Sequence, residues 1–466
     1  MVSLNGNSKD EPIMKAHGVL LLFSFFILWW LPTMGQTGDA TPPGPPIVLT
    51  LEKAIALGLD QNRDMMIADQ DRYKAEAQVS EARSGALPQL SVVGQYSRNI
   101  KLPVLFIGPN TPINPSNSTL AFELGSSNSY VMGAQLSQAL FSRKVGAAMD
   151  IATEYRDYTE QGYHAAEQSV VVQVKRAFYG VMLAQKLLDA NRQGLDVVKA
   201  NFDNVQSLYR HGNAAEFDLL RAEVQLANTE PLVISAENAL VLAKNSLKNL
   251  LALPLNQEIR VQGDFAFEEF PPQVMSQARQ AALATNPSIT QLALQESILE
   301  KNITIESATY FPTLNLVGSY QWQSQDNTFH FKDYLWANSL SVGLSFSWPI
   351  FDGLRTNARV QQASIDRQKI HYLRLKAEEG LAIQIQAAEL KMEEARKRIR
   401  GQEKNIDQAQ KAVRIAQTRF KSGVGTQLEL LDTQVAMTRA QTTYAQAIYD
   451  YLIARADWQY AVGSAR

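Results

Sequence analysis

Residues 87–96, Leu-Pro-Gln-Leu-Ser-Val-Val-Gly-Gln-Tyr, return as Phe-Pro-Thr-Leu-Asn-Leu-Val-Gly-Ser-Tyr at 311–320. The offset of 224 also relates Asn62 to Asn286. Further on, Asn128-Ser129 and Gly133 match Asn338-Ser339 and Gly343, with Leu140-Phe141 meeting Ile350-Phe351, at an offset of 210. Tyr209-Arg-His-Gly212 with Leu219-Leu220 matches Phe420-Lys-Ser-Gly423 with Leu430-Leu431 at an offset of 211. The chain is therefore a tandem duplication whose unit, about 210 residues, is too long for a solenoid repeat. The offset changes mainly between residues 97 and 128, where the first copy carries a longer loop, so that stretch is expected at a surface tip.

Each copy changes its hydrophobic period along its length. Ser339 to Trp348 and Leu314 to Trp322 alternate small or polar with apolar residues, and 90–97 and 129–136 are weaker versions. Period two is strand geometry. The rest reads as helix: Leu51–Asp60, Arg63–Ser84, Lys144–Tyr209 and Glu216–Leu251, then Val274–Ala284, Ser288–Ala308, Leu354–Lys421 and Gln427–Tyr460. Two of these helices run well over 60 residues without proline. At 1.5 Å per residue each is on the order of 100 Å long, a length that needs sustained helix-to-helix packing. Pro231, opposite Thr442 of the second copy, falls inside a predicted helix and is expected to kink or break it.

Composition narrows the chemistry. The 466 residues are 45% hydrophobic and 19% charged, with a net charge of −2, which gives no general attraction to nucleic acid. The absence of cysteine excludes disulfides, thiolate catalysis and Cys-ligated metal, and also the thiol for N-terminal lipid attachment. Five scattered histidines form no HExxH or similar spacing, so no metal or other cofactor and no catalytic group is expected. Lys15 and His17 precede the apolar run Gly18–Leu31, and Pro32 to Gln36 follow it. That order is a secretory signal, assigned to residues 1–36, with Met14 a better start for it than Met1. A Pro-rich linker is expected over 37–48, a first repeat over 49–253, an inter-repeat segment over 254–272 and a second repeat over 273–466. No later segment has the length and hydrophobicity of a membrane-spanning helix.

The strands are about long enough to cross a bilayer when tilted. Their ends carry aromatics, at Tyr96, Tyr130, Tyr320, Trp322 and Trp348. Four strands cannot close a barrel, and an open edge is not tolerated in lipid, so several chains must share one barrel. A periplasmic coiled-coil adaptor or scaffold, anchored by its N-terminal segment, is the alternative, and it leaves these strands unexplained.

The duplicated layout resembles the outer membrane efflux protein family, the TolC-like exit ducts, over about Leu49 to Gly463. The resemblance is carried by Leu-Pro88-Gln-Leu and Phe-Pro312-Thr-Leu opening strands, and by Pro349-Ile-Phe351-Asp-Gly353 leading into a long helix. Two tips complete it, Tyr209-Arg-His-Gly212 and Arg419-Phe420-Lys-Ser-Gly423-Val-Gly425-Thr426. It implies a mainly α fold with a small β part. Long helical hairpins would form a periplasmic α-barrel, and four strands per chain a trimeric 12-stranded transmembrane β-barrel. It also implies a homotrimer in outer-membrane lipid, serving a periplasmic membrane-fusion adaptor and an inner-membrane efflux or ABC pump. Without cysteine the chain departs from the lipidated members.

By the same resemblance, the periplasmic aperture falls on Leu428, Glu429 and Asp432. Helical spacing puts Leu428 and Asp432 on one face, so a trimer would carry an apolar collar and an acidic, cation-attracting ring. Glu429 and Asp432 also suit the start of a helix for reasons of dipole alone. Asp218 and Arg221 form either a local i, i+3 pair or an inter-helix latch. The turns Gly212-Asn213 and Gly423-Val424-Gly425-Thr426 are the expected adaptor contacts, and glycine there also suits a tight turn. The loops Arg98–Ser127 and Ser324–Ala337 would face outside the cell.

Overall fold

The computed structural model describes residues 45–464. The signal segment 1–36, with Met14, and most of the 37–48 linker lie outside the described residues. The first repeat opens with strand β1 (Ile47–Leu49) and helices α1 (Leu51–Gln61) and α2 (Arg63–Ser84). Strands β2 (Gln89–Arg98), β3 (Val104–Ile107), β4 (Leu120–Glu123) and β5 (Asn128–Phe141) follow. Helices α3 (Arg143–Arg210) and α4 (Glu216–Leu250) make the first hairpin, and β6 (Ile259–Val261) lies between the repeats. The second repeat runs α5 (Pro272–Thr285), α6 (Pro287–Ser307), β7 (Thr313–Asp326), β8 (Ala337–Ser347), α7 (Arg355–Lys421) and α8 (Gln427–Ala461).

Helix boundaries fall where capping chemistry puts them. Ser142 accepts from the Val145 N–H to open α3, and Thr426 accepts from the Glu429 N–H to open α8. Each repeat then stacks a short helix on the end of another through one asparagine. Asn62 caps α2 through the Asp64 N–H (2.8 Å) and donates its amide to the Leu250 carbonyl at the end of α4 (2.9 Å). Asn286 repeats this arrangement, accepting from Ser288 N–H (3.0 Å) and donating to Ala461 at the end of α8 (3.0 Å). One side chain thus satisfies an orphan donor of one helix and an orphan acceptor of the next. Both asparagines are buried.

The helical layer therefore has four columns, in the order α2/α4, α3, α6/α8, α7. The main sheet is antiparallel with order β2-β5-β7-β8. The two layers share their edges: β2 continues from α2 at one side, and β8 leads into α7 at the other. Two apolar clusters sit around the helix joints. One contains Leu49, Val174, Phe178, Leu247, Leu251 and Ile259, the other Ile385, Met392, Ile399, Tyr451 and Trp458. The parallel pair β1–β6 ties the start of the chain to the inter-repeat segment. Further along that segment, Tyr451 Oη accepts from the Phe270 N–H and donates to the Glu268 carbonyl.

The structure corrects three expectations. Of the kink or break expected at Pro231, the break does not occur, because α4 runs on through it. Pro231 and Ala227, whose carbonyl loses its donor, both lie on the exposed side, where water can solvate the freed group. The loop expected over Arg98–Ser127 holds the hairpin β3–β4, whose residues do not alternate and so gave no period-two signal. Strand β7 reaches Asp326 and β8 begins at Ala337, so the second loop is shorter than Ser324–Ala337.

Candidate functional site: an uncovered sheet and two hairpin tips

The sheet separates two kinds of surface. Register places Leu90, Val92, Tyr96, Met132, Leu136, Leu316, Tyr320, Trp322, Leu340, Val342, Leu344 and Phe346 on one face. The other face carries Ser91, Gln95, Ser129, Gln135, Asn315, Ser319, Gln321, Ser339, Ser341 and Ser345. The only charges within the four strands are Arg98 and Asp326 at one rim. Leu90, Val92, Leu340 and Val342 are 72–82% exposed, so nothing described in the chain covers the apolar face. A contiguous apolar face of this extent belongs against lipid or protein. At its rim Tyr96 stacks on Tyr130 (4.9 Å), and Phe331 and Tyr334 pack on Tyr130.

At the far end of the helices the two tips are built differently. In the first, Gly212 has φ +75°, and the N–H groups of Gly212 and Asn213 return to the carbonyls of Tyr209 and Leu208. Ala215 opens α4 without a side-chain cap. Arg221 lies over the Phe217 ring at 5.0 Å, and among the described residues it forms no ion pair with Asp218. The local i, i+3 pair is therefore absent. Arg221 is held against an apolar ring instead.

The second tip is cross-linked. Gly423 has φ +72°, and the N–H groups of Val424 and Gly425 both reach the Arg419 carbonyl. A Cβ on Gly425 would lie 2.8 Å from Arg419 Cβ and 3.0 Å from its backbone carbon, so the turn closes only with glycine. Arg419 donates to the Val424 carbonyl (3.3 Å) and pairs with Glu429 (3.4 Å). Arg419 was not among the expected site residues, although it opens the tip motif Arg419–Thr426. Glu429 is thereby committed within the tip.

Leu428 and Asp432 stand one turn apart on the exposed side of α8, with Val435 beyond them. The opposite side buries Gln427, Leu430, Leu431 and Gln434. Gln427, Gln434 and Asn201 of α3 bury amide groups that find no protein partner. An unsatisfied buried amide costs about 1–3 kcal/mol, so the tip half of the hairpins is the weakly held half. Their apolar clusters lie at the helix joints instead.

A sheet with one bare apolar face, continuous at its edges with a layer of very long helices, defines a membrane-channel subunit. The profile of the outer membrane efflux proteins matches residues 54–253 and 278–464, one match per repeat. The chain belongs to the outer membrane efflux protein family, and it is an outer-membrane exit duct with a periplasmic helical extension. The alkaline protease secretion protein AprF of Pseudomonas aeruginosa is 25% identical over 90% of this chain and 87% of its own. The outer membrane protein TolC of Vibrio cholerae is 21% identical, covering 83% and 84%. The Campylobacter jejuni CmeC outer membrane channel superposes with a TM-score of 0.73 at 18% identity, covering 89% of this chain and 86% of that one.

Proposed function

We propose that three copies of this chain close edge to edge into one exit duct for efflux or type I secretion, opened at its tips by a periplasmic adaptor and an inner-membrane pump. The observation that carries this reading is the shared edge order of sheet and helices. Strand β2 and column α2/α4 lie at one edge, β8 and α7 at the other. One rotation between copies therefore satisfies the open strands and the open helix flanks together. Three copies give twelve strands, enough for a water-filled lumen. The apolar face then meets lipid, and the Ser, Gln and Asn face lines a lumen without charge. Neutral hydrogen-bonding groups favour neither sign of cargo in this part of the duct. AprF, an alkaline protease secretion protein that aligns with most of the chain, supports the secretion sense of this duct, and TolC, an outer membrane protein, supports its location.

Within that assembly Asp432 forms the acidic ring and Leu428 the collar one turn away. Glu429, held by Arg419, contributes mainly to tip rigidity. Asp218 and Arg221 have no ion-pair partner in their own chain among the described residues, which leaves them available to a neighbouring helix. The turns at Gly212-Asn213 and Gly423–Thr426, apart from the half-buried Gly425, are exposed for an adaptor.

Planar-bilayer recording tests the gate. Asp432→Asn should lower cation selectivity and weaken block by polyvalent cations from the periplasmic side. Leu428→Ala should raise conductance. Selectivity and block unchanged in Asp432→Asn would make Asp432 a helix-end charge only, and a solution mass of one or two chains would end the shared-duct reading.

A further inference from the structure

The strand-to-helix junctions combine two features that the duct leaves unused. Ile350 and Phe351 are 88% and 80% exposed, Trp348 and Leu354 are exposed close to them in sequence, and Leu140 and Phe141 are exposed at the matching positions of the first repeat. Leu354 holds a left-handed backbone, φ 64°, which leucine disfavours, yet its side chain is turned out rather than packed. Phe141 and Phe346 register with Leu314 on the apolar face of the sheet, so this belt continues that face. A cleft of about 180 Å³ opens here between Tyr310, Ile350, Phe351 and Leu354.

Directly after the belt come Arg143 and Lys144 in the first repeat and Arg355 and Arg359 in the second. All four are exposed, and among the described residues none forms an ion pair. Arg143 is set over the Phe311 ring at 4.1 Å, which fixes its guanidinium at the apolar belt. The neighbouring carboxylate, Asp352, accepts from the Thr356 N–H (2.9 Å) and hydroxyl (2.5 Å) and also lies within electrostatic reach of Arg355, with which it forms no direct ion pair. Neither α3 nor α7 has an acid in its first turn. Cations at the start of a helix oppose its dipole, so these residues do not stabilise their own helices. Both repeats nevertheless place them there.

We propose that these junctions bind the anionic headgroups of phospholipids in the periplasmic leaflet of the outer membrane, with acyl chains lying along the belt. The proposal rests on the reading that the apolar sheet face is embedded in the bilayer. All four long helical columns leave from this end of the strands, which places the cations at the periplasmic leaflet. An apolar belt edged by unpaired cations matches a molecule with apolar chains and a phosphate at the boundary.

The test uses the full-length protein with dioleoylphosphatidylglycerol and dioleoylphosphatidylcholine as probes. Native mass spectrometry should show the anionic lipid retained in preference to the zwitterionic one. Arg143→Gln, Lys144→Gln, Arg355→Gln and Arg359→Gln combined should bring the ratio towards one, with roughly five-fold lost for each cation that contacts a headgroup. Arg98→Gln with Lys101→Gln, at the other end of the strands, should leave the ratio unchanged. The wild-type preference should also shrink between about 50 and about 500 mM salt. Equal retention of both lipids by the wild type, a ratio unmoved in the four-fold variant, or a preference insensitive to salt overturns the proposal. Flotation with phosphatidylcholine vesicles separates the two levels: protein that fails to float removes the membrane reading and this proposal together. Protein that floats without preferring the anionic lipid removes this proposal alone.

Discussion

Arg72 of α2 donates to Glu160 of α3 at 2.6 Å, and the matching positions of the second repeat reverse the charges. There Glu296 of α6 receives Arg374 (3.1 Å), His371 (3.2 Å) and Arg367 (3.3 Å) of α7. Both repeats tie the short helix to the long one at the same level, so the fold needs a tie there without needing a particular sign. The ties also differ in depth: Arg72 and Glu160 are 38% and 41% exposed, while the Glu296 side chain is 12% exposed and held by three groups.

The feature that does not differ between repeats gives the largest expected effect. Asn62→Ala and Asn286→Ala should each cost about 2–3 kcal/mol, combining a lost cap with an unsatisfied buried carbonyl. The two joints lie in separate columns, so thermal melting of the double variant should show near-additive losses. A large loss in one repeat and none in the other would break the equivalence. Asn286→Asp keeps the cap acceptor but sets a carboxylate against the Ala461 carbonyl, and should regain stability only as acid protonates it.

Next come the ties themselves. Glu296→Gln should cost on the order of 2 kcal/mol, because charged hydrogen bonds to a half-dry carboxylate are lost. Arg72→Gln should cost less than about 1 kcal/mol, as exposed pairs do. Burial pushes the Glu296 carboxyl up, but the hydrogen bond and charge of Arg374, with His371 and Arg367, hold it below the usual carboxylate range. An acid lowered in the folded state stabilises above its unfolded value and loses that contribution as pH falls through the folded one. Wild-type melting temperature should therefore drop more steeply than that of Glu296→Gln below pH 4.5. Parallel pH profiles would show that the cluster carries no net stability.

The smallest effects separate the tips. Thr426→Ala should loosen the second tip by about 1 kcal/mol, and Ala215→Ser should firm the first by about 0.5–1 kcal/mol by supplying the missing cap. Amide exchange at 426–430 and 215–219 reads both. Equal protection of the two wild-type tips would show that Thr426 and the Arg419–Glu429 pair add nothing to local rigidity.

Much of this architecture is legible in the sequence. The eight helices fall within two residues of the limits read from periodicity and breakers, since long amphipathic stretches bounded by Ser142, Gly212, Gly423 and Thr426 state their own ends. The two strands of the second repeat were plain because Ser339–Trp348 alternates almost without lapse. The hairpin β3–β4 was not, because Val104–Ile107 is apolar throughout and pairs only locally. At the candidate site, the turn glycines and the common face of Leu428 and Asp432 follow from chain-local rules. The Arg419–Glu429 tie crosses a turn and depends on how the backbone closes over Gly425.

The sequence by itself determined the repeat, the helix and strand periods, the membrane-facing alternation and the repeated asparagine at 62 and 286. These are properties of one chain segment at a time, set by spacing and by capping chemistry. Only the tertiary structure decided what those asparagines do, because the carbonyls of Leu250 and Ala461 lie 188 and 175 residues away. It also decided that Pro231 is accommodated, since that depends on which side of α4 is left exposed. Likewise it decided that sheet and helices end at common edges, since the order of columns follows from packing between repeats and from no pattern within either.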